Sequence, residues 1–471
     1  MKNYDVIMIG SGSAKRIIDR LINKNPEIRI AMIDKDEPGG VCLIRGCIPS
    51  KRLIYPGIVI RNIEHAKKHG ITVNIESIDY KTIMGKVQKE IQSNIQKTKS
   101  KFNNASQVDY YRGVGAFIDK YTIKINNEII KGDKILLCLG SDISIPPIVD
   151  IDSIEYHTSK TIFLENSLPE LPRKILIVGG GYIAAELGHF YSAMGSEVII
   201  IGRNPQFLPQ EEPEVSKLAR KILSNYLTII TNSEVTKAKA TADGKQLIVK
   251  NRASGETKSY TGDEVIIATG RRSNSYLLQT EKSGVETDKR GWILVDEYLE
   301  TSQKNIYAFG DANGKFLLKH KANYETEIVY KNAFLNKHEK VDYHAIPHAI
   351  FTYPEIAAVG LRQKEAVEQY GEENILIGSI RYENTGYGRA MESKDFFVKV
   401  ITEKDTAKIL GAHIIGPYAS ILIQEIITQL YTKERTFSPI LNGMHIHPSL
   451  SQVVERAFAR LKPVNQYTPP I

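Results

Sequence analysis

Two of the chain's three cysteines, Cys42 and Cys47, stand with four residues between them in the stretch GGVCLIRGCIPSK (39–51). An extended backbone would hold their Cα atoms well over ~15 Å apart, whereas a disulfide needs roughly 4.4–6.8 Å. The pair closes only if the segment coils, as at the start of a helix. There the unpaired N–H groups and the helix dipole also stabilise a thiolate. A loop this short restrains the unfolded chain little, so its cross-link is poor structural reinforcement. The pair reads as redox chemistry. Two unrelated buried cysteines are the bland alternative, and metal binding is weaker still, because no second Cys/His pair at zinc-finger spacing is present. The third cysteine, Cys138, lies inside the apolar run KILLCLGS (134–141) and reads as a small buried hydrophobe.

Two glycine turns must position this chemistry. The first follows the strand pattern YDVIMIG (4–10) as Gly10-Ser11-Gly12-Ser13, opens an apolar-periodic segment to about Asn23, and is followed by the strand IRIAMID ending on Asp34. In such a unit Gly10 makes the tight turn and Gly12 lets backbone approach a pyrophosphate. The helix N-terminus supplies N–H donors, and Asp34 accepts from a ribose hydroxyl. The third glycine is replaced by Lys15, which is expected to point outward or push the helix off its strand.

The second turn lies in KILIVGGGYIAAELGHFYSAMGSEVIIIGR (174–203), where Gly179, Gly181 and Ala184 fill the small-residue positions. No acid stands at the end of the next strand. Gly202 and Arg203 do, and an arginine there pairs with a 2′-phosphate, so NADPH is preferred over NADH unless Arg203 simply faces water. Two further strands end on glycine, DEVIIATGR (263–271) and NIYAFGDAN (305–313). Asp311 of the latter suits a polyol or ribose, or an Asx-turn or helix cap.

With 471 residues, two to four domains are expected. Composition is 42% apolar and 25% charged, mean hydropathy is −0.24, and no uncharged apolar run approaches the ~18 residues of a membrane span. The chain enters a strand pattern at once, which favours the cytoplasm. A net charge of +8 and pI near 9.0 admit a nucleic-acid or lipid partner. Basic and acidic residues are interspersed throughout, so a solvated mixed surface with no nucleic acid and no membrane is the stronger reading. Helical patterns cover roughly 52–69 and 79–103. Pro146, Pro147, Pro169 and Pro172 bracket a domain crossing, and from about 344 the pattern becomes α+β. Near the end GMHIHPSLSQVVERAF (443–458) places His445 and His447 before a proline and a helix, where one can serve as a general acid/base.

Together GGVCLIRGCIPSK, GGGYIAAE, ATGR, FGDAN, FTYPEIAAVG and HIHPSLSQ resemble, in order and over nearly the whole chain, the class I pyridine nucleotide-disulfide oxidoreductases. This is the flavoenzyme family of dihydrolipoamide dehydrogenase, glutathione reductase and mycothione reductase. The resemblance implies an α/β fold with two Rossmann-like dinucleotide-binding domains, for FAD and NAD(P), plus a C-terminal α+β dimerisation domain. The expected units are residues 1–148, 149–270, 271–343 as the return to the FAD domain, and 344–471. FAD would be held by Gly10, Ser11, Gly12, Ser13, Asp34, Lys35, Gly40, Val41, Lys51, Gly115, Gly140, Asp311, Leu318 and Ala322. NADPH or NADH would be held by Gly179, Gly181, Tyr182, Ile183, Glu186, Arg203 and Gly270. Cys47 would face the flavin in a charge-transfer contact and Cys42 would meet the substrate disulfide. Lys51 and Glu186 would pair near flavin N5. His447 of a second copy would protonate the departing thiol, making a homodimer with a shared active site and no metal.

Two departures stand out. The family's glutamate five positions after the catalytic histidine is Gln452 here, which can hold a tautomer but adds no charge, so the histidine's basicity should fall. Glu455, one turn on, is the alternative support. The other departure is Lys15. Mycothione reductases also tend to lack that glycine, and EYHTSKT, LLKHKAN, YGRAMES and LGAHIIG resemble that branch. Mercuric reductase is disfavoured, since the chain ends NQYTPPI without a cysteine pair. The implied activity is NAD(P)H:disulfide or dithiol oxidoreduction of the dihydrolipoamide dehydrogenase type, which admits a 2-oxoacid dehydrogenase complex as partner. The alternatives are an NADPH-dependent reductase of a low-molecular-weight disulfide and an FAD-binding redox sensor with little turnover.

Overall fold

Runs such as KILIV, EVIII and EVII have no polar face to turn to solvent, which suits parallel strands covered on both sides. The computed structural model, which describes residues 1–163 and 168–471, uses them in that way. The first sheet places Lys2–Ile9 between Ile30–Asp34 and Glu128–Leu137, all parallel, with Val108–Arg112 beyond Ile30–Asp34. The far edge of Glu128–Leu137 is shared. The antiparallel hairpin strand Thr122–Ile125 takes its first half, and Ile306–Ala308, returning from much later in the chain, takes its second. The excursion leaves and re-enters through Ser141–Ile143 and Arg271–Ser273, which pair antiparallel with one another.

Between those crossings lies a second parallel sheet, ordered Thr228–Ile230, Glu197–Ile201, Lys174–Val178, Glu264–Ile267 and His157–Thr158. A three-stranded antiparallel meander of Ser233–Thr241, Gly244–Asn251 and Thr257–Gly262 accompanies it. The two parallel units turn alike. Gly10 (φ +104°) leaves its strand so close to its neighbour that a Cβ would stand 2.2 Å from the Cys138 carbonyl oxygen. At Gly179 (φ +133°) a Cβ would stand 2.3 Å from that of Ala268. Only glycine tolerates both the dihedral and the approach.

The C-terminal unit is a six-stranded antiparallel sheet, in the order His348–Ile350, Ile356–Gly360, Ile409–Ile415, Phe397–Glu403, Ile375–Arg381 and Lys462–Pro463. Lys399 and His413 are cross-strand neighbours on it and both are buried. Lys399 Nζ donates to Glu212 (3.1 Å), Glu214 (2.6 Å) and Gln363 (2.8 Å), so the sheet grips the helix Pro213–Leu223 of the second unit through a dry ion cluster. Among the described residues no helix is long and apolar enough to cross a membrane.

Candidate active site

The cysteine segment coils as its spacing requires. Cys42 lies in the helix Gly40–Ile44, and Cys47 is the first residue of the helix Cys47–His65. Gly40 (φ +71°) is seated on the first glycine turn, where a Cβ would stand 2.5 Å from Gly12 Cα. The Cys42 thiol hydrogen-bonds to Cys47. That bond, with the Lys51 ammonium and the backbone N–H at the helix start, outweighs burial and draws Cys47 down to about 7. The same hydrogen bond, with burial, pushes Cys42 well up. One sulfur of the pair is therefore poised as a thiolate at neutral pH. Cys138 is buried, its thiol donating to the Gly10 carbonyl at 2.7 Å, and burial pushes it up to about 12, as an inert packing residue requires.

One helical turn after Cys47, Lys51 reaches Glu186 on the helix Tyr182–Met194, with Nζ 2.9 Å from both carboxylate oxygens. Glu186 is 5% exposed and also accepts from the Phe351 N–H at 2.9 Å. The Lys51 ammonium lies 4.5 Å from the Phe351 ring centroid. Phe351 was invisible to motif reading, since its contribution is a backbone N–H and a ring face.

Around the first glycine turn, Asp34 accepts from the Ser11 N–H (2.8 Å) and hydroxyl (2.5 Å), and the Ser11 hydroxyl accepts from Gly39 N–H. Burial raises the Asp34 carboxyl against those bonds. Ser13 accepts from Lys319 Nζ at 2.8 Å and lies 3.3 Å from Asn323 Oδ1. Neither Lys319 nor Asn323 was singled out from the sequence; they belong to the helix Lys319–Leu335, whose cap residue is Leu318 and whose Ala322 packs beside Gly310. Asp311, in the turn Gly310–Asn313, accepts from the Ser141 hydroxyl and lies 3.9 Å from Arg271 Nε. Val41 follows Gly40 in the short cysteine helix, Lys35 Nζ lies 3.9 Å from Asp142, Gly115 packs on Ile33, and Gly140 (φ +65°) has open space around it. Lys15 does not simply point outward. Its half-buried amine turns sideways to Thr98 Oγ1 (3.3 Å) on the helix Tyr80–Asn103, because that helix offers a hydroxyl within the side chain's reach.

In the second unit Gly181 caps the helix that begins with Tyr182 and Ile183, and Gly270 (φ +106°) accepts from Ser144 N–H at the crossing. Arg203 is exposed just beyond the strand Glu197–Ile201, far along the chain from any cysteine. Arg252 donates to the Arg203 backbone carbonyl at 3.3 Å, and its guanidinium is also paired with Glu234 at 3.8 Å.

Among the described residues neither His447 nor Gln452 makes a hydrogen bond or ion pair with Cys42 or Cys47. His447 is exposed, following Met444 and Ile446, which are 104% and 79% exposed. Among the described residues no hydrogen bond joins His447 to Gln452 or to Glu455; Gln452 is buried and its Oε1 has no partner. His445 instead pairs with Glu425 at 2.9 Å.

Comparison with known proteins decides the family. Residues 4–326 match the pyridine nucleotide-disulphide oxidoreductases, and residues 346–458 match the dimerisation domain of the same group. The chain belongs to that family. It is 32% identical to mycothione reductase of Mycobacterium tuberculosis over 98% of this chain and 100% of that one. It is 33% identical to dihydrolipoyl dehydrogenase of Chlamydia pneumoniae, over 96% and 95% respectively. In fold it is similar to the copper(II) complex of the HOCl-induced flavoprotein disulfide reductase RclA from Escherichia coli, with a TM-score of 0.85 and 24% identity, covering 98% of this chain and 99% of that one.

The protein is thus an FAD-dependent disulfide oxidoreductase acting on sulfur groups with NAD(P)H, and its dimerisation domain supports a homodimer. The residues present fit FAD: a glycine turn with no room for a side chain, a buried carboxylate at the end of the second strand, and a cysteine helix resting on that turn.

Proposed function

We propose that this chain reduces a small disulfide at the expense of NADPH, or runs the same path backward on a dithiol, through Cys42 and Cys47. The observation that carries this reading is the hydrogen-bonded sulfur pair beside a lysine anchored by Glu186. Bound FAD supplies the two-electron link between nicotinamide and the cysteine pair. Gly10, Gly12, Ser11, Ser13, Asp34 and Asp311 would hold it, with Lys51 and Cys47 as the residues of this chain expected to serve its redox chemistry. With the pair reduced, the partner subunit's His447 takes the proton of the Cys42 thiol as that sulfur attacks one sulfur of the substrate disulfide. That S–S bond breaks, a Cys42 mixed disulfide forms, and the departing thiolate takes a proton from the partner subunit's His447. The Cys47 thiolate then attacks the Cys42 sulfur, which re-forms the internal disulfide and expels the second thiolate.

NADPH is the favoured donor because the strand Glu197–Ile201 ends without a carboxylate, with the exposed Arg203 just beyond it. A low-molecular-weight disulfide in the cytoplasm is the favoured substrate. Dihydrolipoamide oxidation, with attachment to a 2-oxoacid dehydrogenase complex, is the neighbouring reading. The unit boundaries at 148, 270 and 343 belong to this proposal. Assays of the purified protein with lipoamide, dihydrolipoamide and several small disulfides, each with NADH and NADPH, test it. Higher kcat/KM with NADH defeats the reading of Arg203. Diaphorase activity without reduction of any disulfide favours a redox sensor.

A further inference from the structure

Lys15 and Lys319 are each the first residue of a helix, where positive charge opposes the helix dipole. Both are half-buried, and among the described residues neither makes an ion pair, although nearby Lys99 and Lys101 pair with Glu37 and Asp19. Among the described residues the hydrogen-bond partner of each amine is a hydroxyl. Lys319 donates to Ser13 Oγ at 2.8 Å, and Lys15 donates to Thr98 Oγ1 at 3.3 Å. Burial lowers both, and Lys319 followed by Lys101 repels Lys15 further, down to about 8. Two like charges held near each other out of water are unfavourable unless an anion comes between them. Ser13, the hydroxyl on Lys319, closes the first glycine turn, which is where a dinucleotide's phosphates approach backbone.

We propose that Lys319, supported by Lys15, clamps the pyrophosphate of FAD. This rests on the assignment of the first glycine turn to FAD. In this chain a pair of ammonium groups compensates for the glycine lost at position 15. The anion they receive belongs to the cofactor rather than to an acidic disulfide approaching Cys42, because the hydroxyl that holds Lys319 lies on the glycine turn itself.

The test compares wild type, Lys319→Met, Lys319→Arg and Lys15→Met. Readouts are the flavin content of the purified protein, the affinity of the apoprotein for FAD by quenching of flavin fluorescence at several salt concentrations, and the melting temperature with and without FAD. Loss of a charge-assisted hydrogen bond to phosphate predicts about a tenfold weaker affinity for Lys319→Met, with a shallower salt dependence, and near-normal affinity for Lys319→Arg. The Lys319→Met apoprotein melts no lower than wild type, since a repulsion is relieved, while its FAD-induced rise in melting temperature shrinks. A merely structural lysine would lower the apoprotein's melting temperature instead. Wild-type FAD affinity and salt dependence in both methionine variants would overturn the clamp. So would normal FAD affinity with a raised KM for an anionic disulfide. If wild-type apoprotein does not bind FAD at all, the assignment of the turn fails, which is distinct from failure of the clamp alone.

Discussion

Lys51 Nζ stands 2.9 Å from both carboxylate oxygens of Glu186, and this pair ties the cysteine helix to the helix of the second glycine turn. The Phe351 N–H completes the carboxylate's shell from the C-terminal unit. One ion pair thereby registers all three parts of the chain on the redox sulfurs. Removing the cation leaves a buried carboxylate with only a backbone N–H. Lys51→Met is expected to lower kcat/KM for disulfide reduction by about 10- to 100-fold, roughly 1.4–2.7 kcal/mol. Glu186→Gln keeps one acceptor oxygen for Lys51 and the Phe351 N–H, giving up one Lys51 bond and the charge, and should lose less. Steady-state kinetics on FAD-replete protein check both, and an unaffected Lys51→Met would show that the pair is only a strut.

Cys47 is drawn down to about 7 first by the Cys42 hydrogen bond and then by Lys51. A stabilised thiolate has a depressed pKa, so removing either stabiliser must raise it. In the two-electron-reduced enzyme the long-wavelength charge-transfer absorbance, which reports the thiolate, should titrate with a midpoint near 7. In Cys42→Ala, read without reduction because no internal disulfide can form, and separately in two-electron-reduced Lys51→Met, the midpoint moves toward the ordinary thiol value of roughly 8.5. A midpoint that stays put in both variants would contradict the stated cause.

Gln452 is buried with an unpartnered Oε1 on the helix that follows His447. A carboxylate there would stabilise an imidazolium where the amide does not. Gln452→Glu should therefore move the alkaline limb of the pH profile of kcat/KM upward by about one unit, with little change in the diaphorase rate, which does not use the histidine. An identical profile would remove position 452 from the proton-transfer step.

The glycine turns were legible because their requirement is local: at Gly10 and Gly179 a strand must turn against a neighbouring carbonyl, and no other residue has room. The coiled cysteine segment followed from bond lengths alone. Contacts that depend on distant segments were not legible. Lys15 finds Thr98 at a separation of 83 residues and Lys319 finds Ser13 at 306, and neither neighbourhood announces the other. The Lys51–Glu186 pair, 135 residues apart, was reached only through the family resemblance. Lys399 inside FFVKVITE shows no local sign of burial, because its carboxylates lie in the second unit.

That buried cluster makes a stability prediction. Lys399→Met leaves Glu212 and Glu214 side by side in a dry interface, which costs about 3–5 kcal/mol. Chemical denaturation should show the loss, and adding Glu212→Gln and Glu214→Gln should restore most of it, since the penalty comes from unpaired charge rather than a lost shape. If the triple variant is as unstable as Lys399→Met, packing governs the interface instead.

His189 lies on the same helix as Glu186, facing Gly57 of the cysteine helix, and is 1% exposed with neither ring nitrogen bonded. Burial lowers it to about 3, with Arg61 adding to the effect. The folded protein therefore holds the imidazole neutral, while the unfolded chain protonates it below roughly 6.5. Because the unfolded state binds the extra proton, this group's contribution to stability is intact above about 6.5. It falls by up to about 1.4 kcal/mol per pH unit between there and about 3. His189→Leu removes the titration and keeps an apolar side chain against Gly57 and the cysteine helix. Urea denaturation from pH 7 to pH 4 should show a shallower decline for the variant than for wild type. Parallel curves would mean that acid sensitivity arises elsewhere, in carboxylates such as those around Lys399.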